Sequence, residues 1–201
     1  AVFASLDRRW PDGLDFVVHA VAFSDKTELK GRYAETSRAN FARTMLISCF
    51  SFTEVARRAA ARMPRGGSLV TLTYGGSTRV MPNYNVMGVA KAGLEASVRY
   101  LAADFGPDAI RVNAISAGPV RTLAGAGIAD ARFMYNHQKA NAPLRRTVTT
   151  AEIGGAALYL LSDLSTGVTG EIHYVDSGYS IMSMPRPDVL KAQAAAESGP
   201  A

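Results

Sequence analysis

Short runs of apolar, β-forming residues alternate along this chain with longer segments of helical character, and this alternation limits the possible folds most strongly. The runs span residues 14–20, 68–74, 110–116 and 171–175. Helices are predicted between them, over about 37–63, 84–105 and 151–161. Strands that alternate with helices of this length form βαβ units. We therefore expect an α/β fold with a doubly wound parallel sheet in three layers, with helices on both faces.

The chain is predicted to form one domain followed by a tail. Residues 1–184 hold the predicted strands and helices, beginning with the end of an amphipathic helix over 1–9. Residues 185–201 are rich in Pro and Ala, and we expect them to be disordered. Residues 120–142 are rich in Gly and Ala and follow no regular pattern, which predicts a flexible lid after the third strand.

Composition and charge argue against several classes of protein: those that span membranes, bind nucleic acids or hold metal ions. Apolar stretches fall far below the roughly 18 residues that a membrane span needs, and no basic stripe is interleaved with aromatic residues. Neither a membrane nor a nucleic acid is therefore an expected partner. The single cysteine, Cys49, cannot form an internal disulfide, which favours a reducing, cytoplasmic location. His19, His137 and His173 are far apart and have no partners at ligand spacing, so no metal site is expected.

The most informative side chains are Tyr84 and Lys91, seven residues apart near the start of a predicted helix. Seven helical residues turn about 700°, close to two full turns, so both side chains lie on one face. An ammonium near a phenol lowers the pKa of that phenol, and it can hold ribose hydroxyls through three donors. Tyr74 ends the preceding strand and lies at the same carboxyl edge, where ligands of such sheets bind. Taken alone, the Tyr/Lys spacing also occurs in ordinary helices.

Two longer segments make the pattern specific. Residues 81–92 are MPNYNVMGVAKA, and residues 111–122 are RVNAISAGPVRT. Both resemble the bacterial NADH-dependent enoyl-acyl-carrier-protein reductases of the short-chain dehydrogenase/reductase superfamily, and the similarity extends over about residues 1–184. The family motif places six residues between Tyr and Lys, with a second Tyr ten residues earlier. Ordinary short-chain dehydrogenases have Tyr four residues before the Lys, where this chain has Met87.

The resemblance implies a Rossmann-like fold and an enzyme of fatty acid synthesis that reduces the 2,3 double bond of enoyl-acyl-carrier-protein thioesters. The implied cofactor is NADH/NAD, with NADPH left open. The implied partners are the enoyl-acyl carrier protein and further copies of the chain in a homotetramer. By similarity, Tyr84 hydrogen-bonds the thioester oxygen, Lys91 holds the nicotinamide ribose, and Tyr74 lines the acyl pocket as a third active-site residue.

Further site residues come from the same resemblance. The segment after the third strand matches the family segment beneath the nicotinamide and diphosphate. The cofactor-binding residues implied in this way are Val21, Lys91, Val120, Arg121, Thr122, Leu123 and Ala124. The implied substrate-binding residues follow the first strand or belong to the long helix and the lid, and they are Phe23, Ser24, Met87, Ile128 and Met134.

The Gly-rich strand-to-helix turn that binds the pyrophosphate in this fold is not found in the sequence. The resemblance begins partway into the family. We therefore expect an N-terminally truncated reductase that lacks the first βαβ elements and is inactive alone. The strand over 14–20 would then expose an apolar parallel edge. The choice of NADH over NADPH rests on the family, because the selecting residues belong to the absent part.

Two other functions stay open. One is a ketoreductase or sugar dehydrogenase of the same superfamily, against which Met87 argues. The other is a non-catalytic scaffold on the same fold, which the absent phosphate loop favours and the Tyr/Lys pair opposes. The helices over 37–63 and 84–105 are expected to pack against their copies in the homotetramer. The basic residues expected to dock the acidic carrier protein are Arg79, Arg99, Arg121, Lys139, Arg145 and Arg146.

Overall fold

The structure is a computed structural model that describes residues 2–120 and 131–197. Within these ranges the chain forms a four-stranded sheet in the order β1, β2, β3, β4. The strands are β1 (Phe16–His19), β2 (Gly67–Thr73), β3 (Ile110–Ala117) and β4 (Ile172–Val175). All three pairings are parallel. The predicted α/β class with a parallel sheet is confirmed.

Helices from the first half of the chain cover one face of the sheet. They are α2 (Arg38–Met45), a π-helical segment (Leu46–Phe50), α3 (Ser51–Ala60) and α4 (Asn85–Phe105). The hydroxyl of Ser37 accepts the backbone N–H of Asn40 and begins α2. The sequence predicts one continuous α-helix here, whereas Leu46–Phe50 form the wider turn of a π-helix between α2 and α3. The larger core lies beneath these helices and includes Phe52, Leu69, Leu94, Val98 and Val112.

The opposite face carries α6 (Thr150–Leu161). Successive side chains of a strand point to opposite faces. Leu69 of β2 therefore joins the larger core, while Val70 packs with Ile115 and Leu160 under α6. These side chains are fully buried on both faces, which confirms the three-layer architecture.

The third crossover of the sheet differs in hand from the first two. The strands follow one another across the sheet in chain order. α3 and α4 lie on one face, and α6 lies on the other. Crossovers of a single hand between strands that advance in one direction would keep all the helices on one face. The connection from β3 to β4 therefore has the opposite hand, and this is what covers both faces.

Other helices of the described residues are α1 (Val2–Arg9), α5 (Ala131–Asn141) and α7 (Pro187–Glu197). α7 forms where the sequence predicts a disordered tail, and it corrects that expectation for residues 187–197. Pro187 suits the first helical position, Asp188 suits the first turn, and the alanine-rich sequence favours helix. The backbone N–H of Arg186 donates to Oδ1 of Asn141 at 2.9 Å and joins the start of α7 to α5.

β1 forms an edge of the sheet among the described strands. It pairs with β2, and its Phe16 and Val18 are about half exposed. This is the apolar edge that the sequence predicts. Across the described ranges, none of the helices is long and apolar enough to cross a bilayer.

Candidate active site

The carboxyl edge of the sheet opens into a cleft, where ligands of parallel α/β folds bind. The cleft has a volume of about 350 Å³ and lies between the segments that follow β2, β3 and β4. Its lining includes Tyr74, Arg79, Ser116, Gly118, Asp176 and Tyr179. Tyr74, predicted from the sequence as an active-site residue, therefore forms part of the wall of this cleft.

Tyr74 and Tyr84 form an aromatic pair at this edge. Their ring centroids lie 5.3 Å apart, and the ring planes are inclined by 71°, the edge-to-face arrangement that aromatic pairs prefer. Tyr84 stands just before the first residue of α4. Asn83 and Asn85, on either side of it, have positive φ angles of 57° and 29°, a region that Asn tolerates better than most residues. This turn brings Tyr84 beside the end of β2.

Two glycines leave the space that the Tyr84 ring occupies. A Cβ atom on Gly76 would lie 2.5 Å from Cδ1 of Tyr84, and one on Gly88 would lie 2.8 Å from the carbonyl oxygen of Gly76. Leu29 and Met87 pack in the same cluster as the two tyrosines. Met87, a predicted substrate-binding residue, thus lies with Tyr74 and Tyr84.

Burial raises the pKa of the Tyr84 phenol, and the neighbouring Tyr74 adds to the rise. Burial also raises the pKa of Tyr74. From the sequence we expect Lys91 to lower the pKa of Tyr84, and this expectation is wrong, because the loss of solvent around the phenol dominates. Tyr84 therefore stays protonated at neutral pH and can donate a hydrogen bond.

Lys91 lies on α4 behind the last residues of β2. Its Nζ donates to the carbonyl oxygen of Leu72 at 2.7 Å. The side chain is buried, and burial lowers the pKa of Lys91 to about 8, although the negative charge of Glu95 acts to raise it. The ammonium is therefore still charged at neutral pH. Lys91 reaches the end of β2 from within α4. Tyr84 stands before the first residue of α4, so the two-turn helical spacing predicted for this pair does not describe it.

Glu95 is a buried carboxyl one turn after Lys91 on α4. The hydroxyl of Thr73, the last residue of β2, donates to Oε1 of Glu95 at 2.6 Å. Glu95 is not among the residues predicted for the site. Its spacing of four residues from Lys91 is the signal in the sequence that could have identified it.

His19 takes the strand-end position that the sequence predicts, and it lies beside the π segment. Its Nε2 is 2.9 Å from the hydroxyl of Ser51, which itself donates to the carbonyl oxygen of Ile47 at 2.6 Å. His19 is therefore the donor to Ser51. Burial and the charge of Lys91 lower the pKa of His19. The neutral ring joins the end of β1 to the helices above it.

The loop after β4 is a tight turn held by Asp176. Its carboxylate accepts the backbone N–H groups of Gly178 at 2.9 Å and Ser180 at 2.8 Å, the structural role that the sequence favours for this turn. Gln138 of α5 donates to the carbonyl oxygen of Asp176 at 3.2 Å. Arg79, which follows β2, donates to the carbonyl oxygen of Ser180. Gln138 and Arg79 have no signal in the sequence that predicts these contacts.

A second cavity, also about 350 Å³, lies beside the first and shares Tyr74 and Arg79 with it. Met134 of α5 lines this cavity together with Met81 and Met182. Met134, predicted for the lid over the acyl chain, thus borders the same space as Tyr74.

Two hydroxyls in the segments that follow the strands, together with the Lys91 ammonium, are the polar groups that a dinucleotide could use. The hydroxyls of Ser77, after β2, and Ser177, after β4, are buried and have no hydrogen-bond partner among the described residues. The Lys91 ammonium has three donors, which suit ribose hydroxyls. In the part of the chain that the structure describes, no three His, Cys, Asp or Glu side chains come together as a set of metal ligands.

A model of the enoyl-(acyl carrier protein) reductase family matches residues 1–180 of this chain. This chain belongs to that family. NADH-dependent enoyl-acyl-carrier-protein reductase 2 of Rhizobium meliloti is 71% identical over 191 residues, which are 95% of this chain and 71% of the relative. The crystal structure of FabI from Candidatus Liberibacter asiaticus superposes with a TM-score of 0.90 at 62% identity, covering 92% of this chain and 71% of the other. The reductase of Anaplasma phagocytophilum, crystallised with NAD, gives a TM-score of 0.88 at 58% identity, covering 92% of this chain and 70% of the other.

Of the predicted residues that the structure describes, Tyr74 and Met134 line the two cavities. Tyr84, Met87 and Lys91 pack behind Tyr74 and the end of β2 without lining either cavity.

Three further predicted residues follow β1. Val21 is exposed after β1. The backbone N–H of Phe23 donates to the Ser48 hydroxyl at 2.8 Å, and the buried Ser24 hydroxyl accepts from Thr44 at 2.9 Å. Phe23 and Ser24 therefore border α2 and the π segment, and neither lines the cavities beside Tyr74.

The remaining predicted residues of the reductase follow β3. Val120 is partly buried at the end of the first described range. The other five lie outside the described residues, and their contacts stay predictions: Arg121, Thr122, Leu123, Ala124 and Ile128.

Proposed function

We propose that this reductase chain transfers a hydride from NADH to the 2,3 double bond of enoyl-acyl-carrier-protein thioesters in fatty acid synthesis. The observation that carries the proposal is the buried Tyr74–Tyr84 pair at the cleft, with Lys91 behind it. The name of the Rhizobium meliloti relative and the NAD in the Anaplasma structure support it. Met87 stands where ketone-reducing members of the superfamily have Tyr, which supports enoyl over ketone reduction.

Tyr84 acts in this proposal as the hydrogen-bond donor to the thioester oxygen. NADH, when bound, supplies the hydride. Negative charge then builds on the thioester oxygen, and a donor fixed in advance stabilises that charge more than water does. Because the pKa of Tyr84 is raised, the phenol keeps its proton at neutral pH and can donate a hydrogen bond to the thioester oxygen. Tyr74 holds the Tyr84 ring from the side and lines the cavities that receive the acyl chain.

Lys91 holds the nicotinamide ribose and supports the charge on the thioester oxygen. One of its three N–H donors is used by Leu72, which leaves two for ribose hydroxyls. A buried positive charge acts at longer range than an exposed one, because the local dielectric constant is low. The pKa of Lys91, lowered to about 8, means that both contributions weaken as the pH rises above that value.

The acyl chain is proposed to lie in the cavity that Met134 borders. Met81, Met134 and Met182 supply flexible thioether side chains, which adapt to chains of different shape. Met87 packs in one cluster with Tyr84 and Tyr74. Phe23 and Ser24, which border α2 and the π segment, and Ile128 stay predictions for this pocket.

The acyl carrier protein is proposed to dock on the basic side of α5. Lys139 and Arg145 line an open cleft there, together with Arg186. Two other predicted docking residues already have partners: Arg79 holds the loop after β4, and Arg146 pairs with Glu152 at 2.6 Å. Arg99 and Arg121 stay predictions.

Charge reversal tests the docking proposal. Lys139→Glu combined with Arg145→Glu should raise the KM for a carrier-linked substrate and leave the KM for a coenzyme A thioester unchanged, since only the carrier protein is strongly acidic. The same KM for the carrier-linked substrate in the variant and the parent would contradict docking at this cleft.

A homotetramer is proposed from the exposed apolar side chains of α2, the π segment and α4, and a cytoplasmic location is proposed from the single cysteine, Cys49. The exposed side chains are Phe41, Leu46, Phe50, Val89 and Tyr100. Apolar patches of this kind mark interfaces more often than bare surface. Leu46→Glu with Phe50→Glu should lower the sedimentation coefficient of the assembly. An unchanged assembly would place the interface elsewhere.

A chimera tests the proposed reaction. This chain replaces the matching 191 residues of the Rhizobium meliloti reductase, and NADH oxidation is followed with a crotonyl and an acetoacetyl thioester. Turnover of the crotonyl thioester, lost in Tyr84→Phe, is the expected result. Turnover of the acetoacetyl thioester alone would indicate a ketoreductase. No turnover, with Tyr84→Phe making no difference, would indicate a scaffold. The 201-residue chain alone is tested in parallel for NADH binding by fluorescence.

A further inference from the structure

Two pairs of contacts join α4 to the end of β2 in register. Lys91 donates to the carbonyl oxygen of Leu72 at 2.7 Å. One turn later, Glu95 accepts the hydroxyl of Thr73 at 2.6 Å. Leu72 and Thr73 are the two residues directly before Tyr74. Residues four apart on a helix thus meet neighbouring residues of a strand, and the strand continues into the active-site tyrosine.

Glu95 is a buried carboxyl that the proposed reaction does not use directly. Buried charged groups are expensive unless a partner compensates them. The titratable groups that face the Lys91 ammonium among the described residues are Glu95 on α4, Cys49 in the π segment and His19 at the end of β1. The negative charge of Glu95 acts to raise the pKa of Lys91, whereas burial lowers it. His19 is neutral and gives the ammonium no counter-charge.

We propose that Glu95 is a positioning residue for Lys91: anchored by Thr73, its carboxylate keeps the buried ammonium charged and holds α4 in register with the residues before Tyr74. This inference rests on the proposed function for the role of Lys91 in ribose binding. Glu95 itself touches neither substrate nor cofactor in this assignment. A purely structural Glu95 would be replaced by Gln without consequence for Lys91, because the Gln amide oxygen can still accept the Thr73 hydroxyl.

The decisive measurement is the titration of Lys91 in the 201-residue chain. Lysine labelled with carbon-13 at Cε reports the midpoint by nuclear magnetic resonance, and the signal is assigned by its absence in Lys91→Met. The parent should titrate near pH 8. Glu95→Gln should move the midpoint down by about one pH unit, since a neighbouring opposite charge typically shifts a pKa by this amount or more. A midpoint in Glu95→Gln equal to that of the parent overturns the proposal.

A matched control uses a carboxylate on another helix. Glu54 of α3 is exposed and pairs with Arg58 at 2.7 Å. Glu54→Gln removes one negative charge from the chain but none from the surroundings of Lys91, so the Lys91 midpoint should stay at the parent value. A shift as large as that of Glu95→Gln would mean that net charge, not Glu95, controls Lys91.

A double variant covers the case in which Glu95→Gln does not fold. If the defect arises from an ammonium without its counter-charge, removing that ammonium should repair it. Lys91→Met with Glu95→Gln should then unfold at a higher temperature than Glu95→Gln alone. A double variant no more stable than the single one overturns the proposal.

Activity gives an independent measurement in the chimera. The basic limb of the pH profile of kcat should move to lower pH in Glu95→Gln by the same amount as the Lys91 midpoint, with kcat little changed at acidic pH. The nuclear magnetic resonance titration needs no turnover, so it can fail or succeed separately from the proposed reaction. A pH profile that keeps its parent shape while the Lys91 midpoint moves would overturn the role of the Lys91 charge in catalysis.

Discussion

The rings of Tyr74 and Tyr84 stand edge to face with their centroids 5.3 Å apart, although ten residues and a glycine-rich turn separate them in the chain. Each phenol is buried by the other and by Leu29, Met81 and Met87. Because burial disfavours the phenolate, the pair keeps both protons at neutral pH. The two hydroxyls can therefore be tested separately by substitutions that retain the rings.

Tyr84→Phe should lower kcat of the chimera by about two to three orders of magnitude, the usual effect of removing one donor to a developing oxyanion. The ring and its contacts remain, so the melting temperature should change little. Stopped-flow measurement of NADH oxidation checks the rate. Tyr33→Phe, whose half-exposed side chain lies between β1 and α2, is the matched control and should have the parent rate. An equal loss in both variants would remove Tyr84 from the mechanism.

Gly76→Ala should displace the Tyr84 ring, because the added methyl would lie 2.5 Å from Cδ1 of Tyr84. Overpacking of a buried site typically destabilises by about 1–3 kcal/mol. We expect a loss of that size in urea unfolding, together with reduced turnover in the chimera. Gly75→Ala is the neighbouring control, since its Cβ would meet Cε of Met81 at an ordinary 3.7 Å. Equal stability of the two variants would contradict the tight fit at Gly76.

Gly154→Ala should raise the free energy of unfolding, whereas Gly76→Ala should lower it. Gly154 lies within α6 and is exposed, and a Cβ there would meet nothing within 4 Å. Alanine is more favourable than glycine inside a helix by about 0.8–1.0 kcal/mol. The midpoint of urea unfolding should therefore rise while the slope of the transition stays constant. A lower midpoint would mean that α6 packs against something at this position.

The sequence predicts those features that depend on local pattern. Apolar runs predict all four strands, and β2 and β3 are apolar because their residues are buried on both faces of the parallel sheet. Ser37 and Gly106 mark helix ends for the same local reason. The Tyr/Lys spacing predicts that Tyr84 and Lys91 lie near the start of one helix, but Tyr84 stands before α4, so helix geometry does not fix the angle between the two side chains.

Features that depend on tertiary contacts could not be predicted in this way. The pKa of Tyr84 follows from burial by Leu29 and Met81, which come from separate segments. The hand of the third crossover is set by where α6 finds an apolar face, and no residue in that connection signals it. Ser51, directly after the π segment, contacts His19 at the end of β1. Each of these needs residues that are distant in sequence.

The free energy of unfolding should depend on pH through the titration of Lys91. Burial lowers the pKa of Lys91 from 10.5 to about 8, so the folded state disfavours the ammonium. Below pH 8 both the folded and the unfolded chain hold this proton, so the cost of burying the ammonium lowers the free energy of unfolding by its full amount. Between pH 8 and 10.5 the unfolded chain binds more protons than the folded chain, so the free energy of unfolding rises with pH. The shift corresponds to about 3 kcal/mol at most.

Lys91→Met isolates this contribution, because methionine keeps the length of the side chain and has no charge. The difference in free energy of unfolding between variant and parent should favour the variant below pH 8 and shrink as the pH rises from 8 to 10. Tyr74 and Tyr84, whose pKa values are raised, act in the other direction: the unfolded chain loses those protons first, so stability falls above pH 10 in both proteins. They therefore cancel in the difference. A difference that is constant from pH 7 to 10 would show that the folded chain does not depress the pKa of Lys91.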